Sequence, residues 1–382
     1  MSKKIALITP AYPLRGGIAA SGERLAKAFQ AEGKDVNIFS FSLQYPNFLF
    51  PGKTQFSDDA PPVDLTIHST INSIQPFSWF STAHQIINFV PDIIVCRFWL
   101  PFISPSTGTI LRRVKKKIPT VRIIGLIDNI VPHEKRLGDK QLAQYFVDAC
   151  DGFVVMSRSV EKEMLLFTTK KVVYVPHPIY DNYGEKIERG AALKHLNLPA
   201  DKRYILFFGF VRKYKGLDIL LEALTNADVR ALNLTLLVAG EFYEDEQTYL
   251  EFINTHQLAD NVIIKSDFIA SDAVRYYFGA ADAVVQPYRT ATQSGISQLA
   301  YHFETPMIVT NVGGLSEIIT NGKVGFVVEP TADAIAQALI EFYKKDRDIF
   351  LEGIKDEKKR FSWKNMTDAI LEMSDKKIDN LL

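Results

Sequence analysis

The chain has 382 residues, 47% of them hydrophobic and 23% charged, and its 44 Lys and Arg balance 44 Asp and Glu. That length exceeds one ordinary core and calls for two domains. The composition is that of a globular protein rather than a disordered or fibrous one, and zero formal charge argues against a surface built to hold nucleic acid.

Met1-Ser2-Lys3-Lys4 runs directly into Ile5-Ala6-Leu7-Ile8, too short an apolar run for a signal peptide, with Pro10 and Pro13 close behind. A cytoplasmic location is expected, and no window reaches the ~20 apolar residues of a spanning helix. Cys96 and Cys150 sit in apolar surroundings and fit neither a disulfide framework nor metal-ligand spacing.

Short β-branched runs alternate with helical periods from the start: Lys4–Thr9, Asp35–Phe41, Asp92–Phe98, Thr120–Asp128, Gly152–Met156 and Val172–Val175. Such alternation predicts a parallel sheet with helical crossovers. A second series follows at Arg203–Phe208, Leu234–Gly240, Asn261–Phe268, Ala283–Pro287, Met307–Thr310 and Gly325–Val328, and predicts a second doubly wound sheet. Between them, the prolines and glycine of residues 176–184 can continue neither a strand interior nor a helix. The boundaries are therefore set at 1–178 and 179–360, with a separate terminal helix over 361–382. Ligands of open α/β sheets bind beyond the carboxyl ends of the strands, so the loops leaving those ends are the places to search.

Thr9 to Ala19 leave the first strand and enter a helix, and Gly16-Gly17 would let backbone amides approach a phosphate or sugar. A plain tight turn explains the pair equally well. After the first strand of the second series, Gly209-Phe210-Val211-Arg212-Lys213-Tyr214-Lys215-Gly216 gathers three cations where a diphosphate leaving group needs positive charge. Arg212 and Lys215 are the preferred pair, and Lys213 is read as a surface residue. Thr292-Gln293-Ser294-Gly295 offer an amide, a hydroxyl and bare backbone at a helix start, an arrangement that receives phosphate oxygens and also one that an ordinary Ser294 cap would give. Asp128 ends a buried strand, where it could contact a transferred sugar, accept a proton, or merely cap the next turn. The one dense basic run, Arg112, Arg113, Lys115, Lys116 and Lys117, fits a solvated helix end or a peripheral membrane surface.

A final strand-turn-helix block, Pro306…Thr310…Gly313-Gly314…Glu317, completes an ordered set with Gly16-Gly17, Gly209…Lys215-Gly216 and Val238-Ala239-Gly240. In this order and spacing the chain resembles glycosyltransferase family 4, over nearly its whole length. The stretch from Asp128 to Arg136, with His133-Glu134, is similar to a variant in one branch of that family, and Phe361-Ser362-Trp363 resembles the start of its last helix. The resemblance implies a GT-B fold, two doubly wound Rossmann-like domains facing across a cleft, with the last helix crossing back to the first. It also implies retaining sugar transfer from a UDP- or GDP-sugar to a glycan or lipid-linked acceptor, without metal or other cofactor. Glu241, Phe268, Ile269 and Thr292 complete the expected donor-binding set with Gly16, Gly17, Gly209, Gln293, Ser294 and Gly295.

The sequence departs from the family at three places. Ala291 and Leu299 stand where two glutamates are usual, Phe210 stands where an arginine follows the loop glycine, and Asp128 stands where a histidine is usual. A binding protein of the same fold without efficient turnover is thus the alternative. A GT-B phosphorylase would want a pyridoxal phosphate lysine and a much longer chain.

Overall fold

The structure, a computed structural model, describes residues 2–46, 54–57, 60–130, 137–292 and 294–375. The chain divides into two compact units, Met1–Pro176 with Ser362–Leu382, and His177–Phe361. The first holds strands β1 (Lys4–Ile8), β2 (Asp35–Leu43), β3 (Thr66–Asn72), β4 (Ile93–Phe98), β5 (Arg122–Ile127), β6 (Gly152–Val155) and β7 (Val172–Tyr174). They pair in parallel in the order β3-β2-β1-β4-β5-β6-β7.

The second unit holds β8 (Arg203–Phe208), β9 (Leu234–Ala239), β10 (Val262–Lys265), β11 (Ala283–Gln286), β12 (Met307–Thr310) and β13 (Gly325–Val328), in the order β10-β9-β8-β11-β12-β13. Helices cover both faces of such sheets, so central strands are buried on both sides and read as continuous apolar runs. Every residue of β4 and of β9 is buried. Strand β3, Thr-Ile-His-Ser-Thr-Ile-Asn, escapes the sequence reading because it is an edge strand, partly exposed and mostly polar.

Strand order reverses between β1 and β4 in one unit and between β8 and β11 in the other. At such a point neighbouring crossovers leave to opposite faces and open a crevice at the carboxyl edge. The loops after β8 and β11 flank one crevice, and the loops after β1 and β4 flank the other.

The helix Trp363–Ser374 packs on the first unit, burying Trp363, Met366, Ile370 and Met373 at helical spacing. Arg24 lies 5.2 Å over the Trp363 ring, Lys3 pairs with Asp375 at 2.7 Å, and Thr367 donates to Glu32.

Candidate functional site in the second unit

Gly209 follows β8, and a Cβ there would come 3.1 Å from the Lys215 ammonium. The bare backbone leaves that amine its place at the strand end. Lys213–Lys215 form a single 3-10 turn closed by Gly216, which has φ +68° and a hypothetical Cβ that would overlap the Pro287 carbonyl oxygen. Only glycine meets both demands, so Gly216 seats the loop after β8 against the loop after β11.

The outer side of the loop is tied down by Arg289. Its guanidinium grips both Asp218 oxygens, at 2.6 and 2.7 Å, and donates to the Lys213 carbonyl at 3.0 Å. Lys213 itself is exposed.

Lys215 is 8% exposed, with its amine 5.8 Å from the Tyr288 ring centre. Among the described residues its amine has neither a hydrogen-bond acceptor nor an acidic partner. Burial, and secondarily the Arg212 guanidinium, push its pKa down to about 7. A cation held out of water with no counter-charge is costly unless something anionic joins it.

Arg212 is half-buried and lies 4.8 Å over the Tyr243 ring. The Val211 amide donates to the Glu241 backbone carbonyl and the Tyr243 amide to the Val211 carbonyl, so the loops after β8 and β9 are zipped together. Glu241 is buried at this junction. Phe210 stacks on Tyr243 at 4.5 Å and sits 6.4 Å from Phe268, which gives the ends of β8, β9 and β10 an aromatic row. Ile269 is half-buried beside Phe268.

Ser294 caps the helix Gly295–Phe303, accepting from the Ile296 amide at 3.2 Å. Its hydroxyl also donates to Gln286 at 2.6 Å, and the Gln286 amide donates to Ser297 at 2.9 Å. Ser294 therefore works as a cap, with its own proton turned inward. A helix N-terminus of this kind presents first-turn amides and a dipole that favour an anion. Gly295 has a packing reason as well, since a Cβ would meet the Tyr180 ring at 2.6 Å. Thr292 is half-buried, and Gln293 lies outside the described residues. Gly313, after β12, packs directly on the Ala291 carbonyl, so three strand-end loops meet here.

Ala291 and Leu299 both belong to the apolar core of this unit. Sequence reasoning missed Gln286 and Ser297, which fix the helix start, and Gln298, whose buried amide has no hydrogen-bond partner among the described residues. The signal was available: three polar residues inside a strand and a helix that otherwise read as core.

In the first unit Gly16 has φ +106° and precedes the helix Gly17–Ala31. Asp128 has a partner that no motif suggested. Arg97, one residue before the carboxyl end of β4, donates to both Asp128 oxygens at 2.6 and 2.7 Å and to Ser21 at 2.9 Å. Arg97 is 2% exposed and Asp128 5%. Arg97 thus joins the end of β5 to the first turns of the helix that Gly16-Gly17 opens. A carboxylate with both oxygens held by a guanidinium does more than cap a turn: it fixes the end of β5 against β4. Residues 131–136, with His133-Glu134, lie outside the described residues.

Residues 189–361, which contain all the loops of the second-unit site, match the family described as glycosyl transferases group 1. An uncharacterized glycosyltransferase of Methanocaldococcus jannaschii is 23% identical, with 95% of each chain covered. A D-inositol 3-phosphate glycosyltransferase of an Arthrobacter species is 26% identical over 82% of this chain and 78% of that one. Among solved structures, Anabaena HepE in complex with UDP-glucose is similar at a TM-score of 0.69 and 16% identity, over 97% of this chain and 98% of that one.

The fold is GT-B. The group 1 match and the full-length relatives support a GT-B glycosyltransferase.

Proposed function

We propose that the chain is a retaining, metal-independent glycosyltransferase, as its resemblance to family 4 implies. It moves a sugar from a UDP- or GDP-sugar to a hydroxyl of a glycan or lipid-linked acceptor. The observation that carries this reading is Lys215, a nearly buried cation without a counter-charge among the described residues, at the switch point of the second sheet.

In transfer, the bond from the sugar C1 to the diphosphate oxygen breaks, a bond from C1 to the acceptor oxygen forms, and the acceptor hydroxyl's proton passes to the departing diphosphate. Negative charge grows on the departing diphosphate. Lys215, Arg212 and the amides opening the helix Gly295–Phe303 are fixed before that charge appears, and such preorganised groups stabilise it without reorganisation. The row of Tyr243, Phe210 and Phe268 offers an aromatic face to a nucleoside base, and the UDP-glucose complex of Anabaena HepE supports a nucleotide-sugar donor.

A thermal-shift screen against UDP-, GDP- and ADP-sugars tests the reading, because a ligand bound only by the folded state raises Tm by mass action. A UDP- or GDP-sugar is expected to shift Tm, and turnover is expected to persist in excess EDTA. No shift with any donor would sink the proposal, and manganese-reversible loss in EDTA would remove its metal-independent part. Ala291 and Leu299 in the core favour a second reading, a nucleotide-sugar-binding protein without turnover. That reading predicts the Tm shift but no consumption of donor with any acceptor.

Donor binding should also depend on pH in one direction. Free Lys215 titrates near 7, and a diphosphate beside it raises that pKa. Between pH 7 and the raised value the complex holds a proton that the free protein lacks, so affinity falls as pH rises, by up to about tenfold per unit. Below pH 7 it should level off. Calorimetry with an intact nucleotide sugar, whose phosphates do not titrate near 7, in buffers of different ionisation enthalpy should register proton uptake at pH 8.

A further inference from the structure

The basic run left two explanations open, and the first unit separates its members. Arg112 donates to the Gly108 and Tyr145 carbonyls, and Lys115 pairs with Asp151 at 2.9 Å and donates to the Val121 carbonyl. Those two cations close the fold internally and border a hollow of about 410 Å³. Arg113, Lys116 and Lys117 are exposed and have no acidic partner among the described residues.

Beside them runs the helix Pro76–Phe89, packed against the basic helix Ser104–Lys117. Its first turns carry apolar side chains that face water: Phe77 is 80% exposed, Phe80 40%, and Ile74 just before it 54%. The Arg113 guanidinium lies 4.4 Å over the Phe80 ring, so the aromatic and cationic groups form one continuous face. Charge along the chain points the same way. Residues 65–127 contain seven Lys and Arg, of which buried Arg97 is paired with Asp128 and Lys115 with Asp151, and a single acid, Asp92, within a protein of zero net charge. Asp92 is occupied by the Lys4 amide.

We propose that this face is a peripheral docking surface for an anionic lipid bilayer. Phe77, Phe80 and Ile74 enter the headgroup boundary, where amphipathic helices bury their apolar face, and Arg113, Lys116 and Lys117 meet lipid phosphates. A protein partner would leave three uncompensated cations needing matching carboxylates, whereas an anionic bilayer supplies both the negative charge and the apolar depth. No described helix is long and apolar enough to cross a membrane. The surface is remote in sequence from the donor loops, and its test needs no nucleotide or activity.

The experiment is co-sedimentation of the full chain with vesicles of phosphatidylcholine alone and of phosphatidylcholine mixed with phosphatidylglycerol. Binding is expected to the mixed vesicles, weakening as salt rises within the screening range. Arg113→Ser, Lys116→Ser and Lys117→Ser should each weaken it about fivefold. Phe77→Ser with Phe80→Ser should weaken it about tenfold or more while the protein still melts cooperatively, and Phe77→Ser alone, at an 80% exposed ring, should weaken it with an unchanged melting curve. Absence of wild-type binding to the mixed vesicles would overturn the proposal. So would equal binding to both vesicle types, or binding indifferent to both sets of variants. Concentration-dependent dimerisation in light scattering, abolished by Phe77→Ser with Phe80→Ser, would assign the face to a second copy instead.

Discussion

Replacing Lys215 by methionine is expected to lower kcat/KM by about two to three orders of magnitude, the scale on which a preorganised group aimed at developing charge acts. Methionine keeps the unbranched stem and removes the ammonium. Because that ammonium is buried without a counter-charge among the described residues, its loss should leave the folded state as stable as before or more so. A drop in activity beside an unchanged or raised Tm is the signature of a group held for a ligand rather than for the fold. Lys213→Met is the control, since Lys213 is exposed, and it should change kcat/KM little. Equal effects of the two variants would remove Lys215 from the site.

The second large effect is expected at Arg97 and Asp128, and it is an effect on stability. Removing one partner of a buried, bidentate ion pair strands the other charge and typically costs about 3–5 kcal/mol. Asp128→Asn leaves the Arg97 guanidinium facing an amide that can accept at one oxygen only, so loss of about 3 kcal/mol is expected in urea unfolding. Arg97→Met with Asp128→Asn should recover part of that loss, because no buried charge is then stranded. Nucleotide-sugar binding by the second unit should be unchanged in both. Wild-type stability with turnover lowered about a hundredfold in Asp128→Asn would instead return Asp128 to a direct catalytic role.

The second-unit loops were legible because each motif is short, sits at a strand end and uses local chemistry. Glycines at Gly209 and Gly216, cations at Arg212 and Lys215 and a cap at Ser294 are all readable within a dozen residues of one another or of a predicted strand. The same locality hid what holds them. Arg289, which no motif marks, anchors the Lys213–Lys215 turn through Asp218, a residue 71 positions away. Gln286 and Ser297 fix the start of the helix from inside the core, where polarity in an apolar run is the only sequence trace. Tyr243 carries no motif, and it is found only because the loop after β9 pairs with the loop after β8.

By itself the sequence determined the alternation of strand and helix, hence two parallel sheets, since hydrophobic period is written along the chain and right-handed crossovers leave few other topologies. It also determined which strand-end loops carry charge. Tertiary structure alone decided three things. Strand order put the loops after β8 and β11 on either side of one switch point. Burial turned Lys215 from one of three loop cations into the one held out of water, because desolvation depends on everything packed around an amine and not on its neighbours in sequence. Pairing across β4 and β5 gave Asp128 to Arg97, because residues 31 positions apart in the chain become neighbours only when the sheet forms.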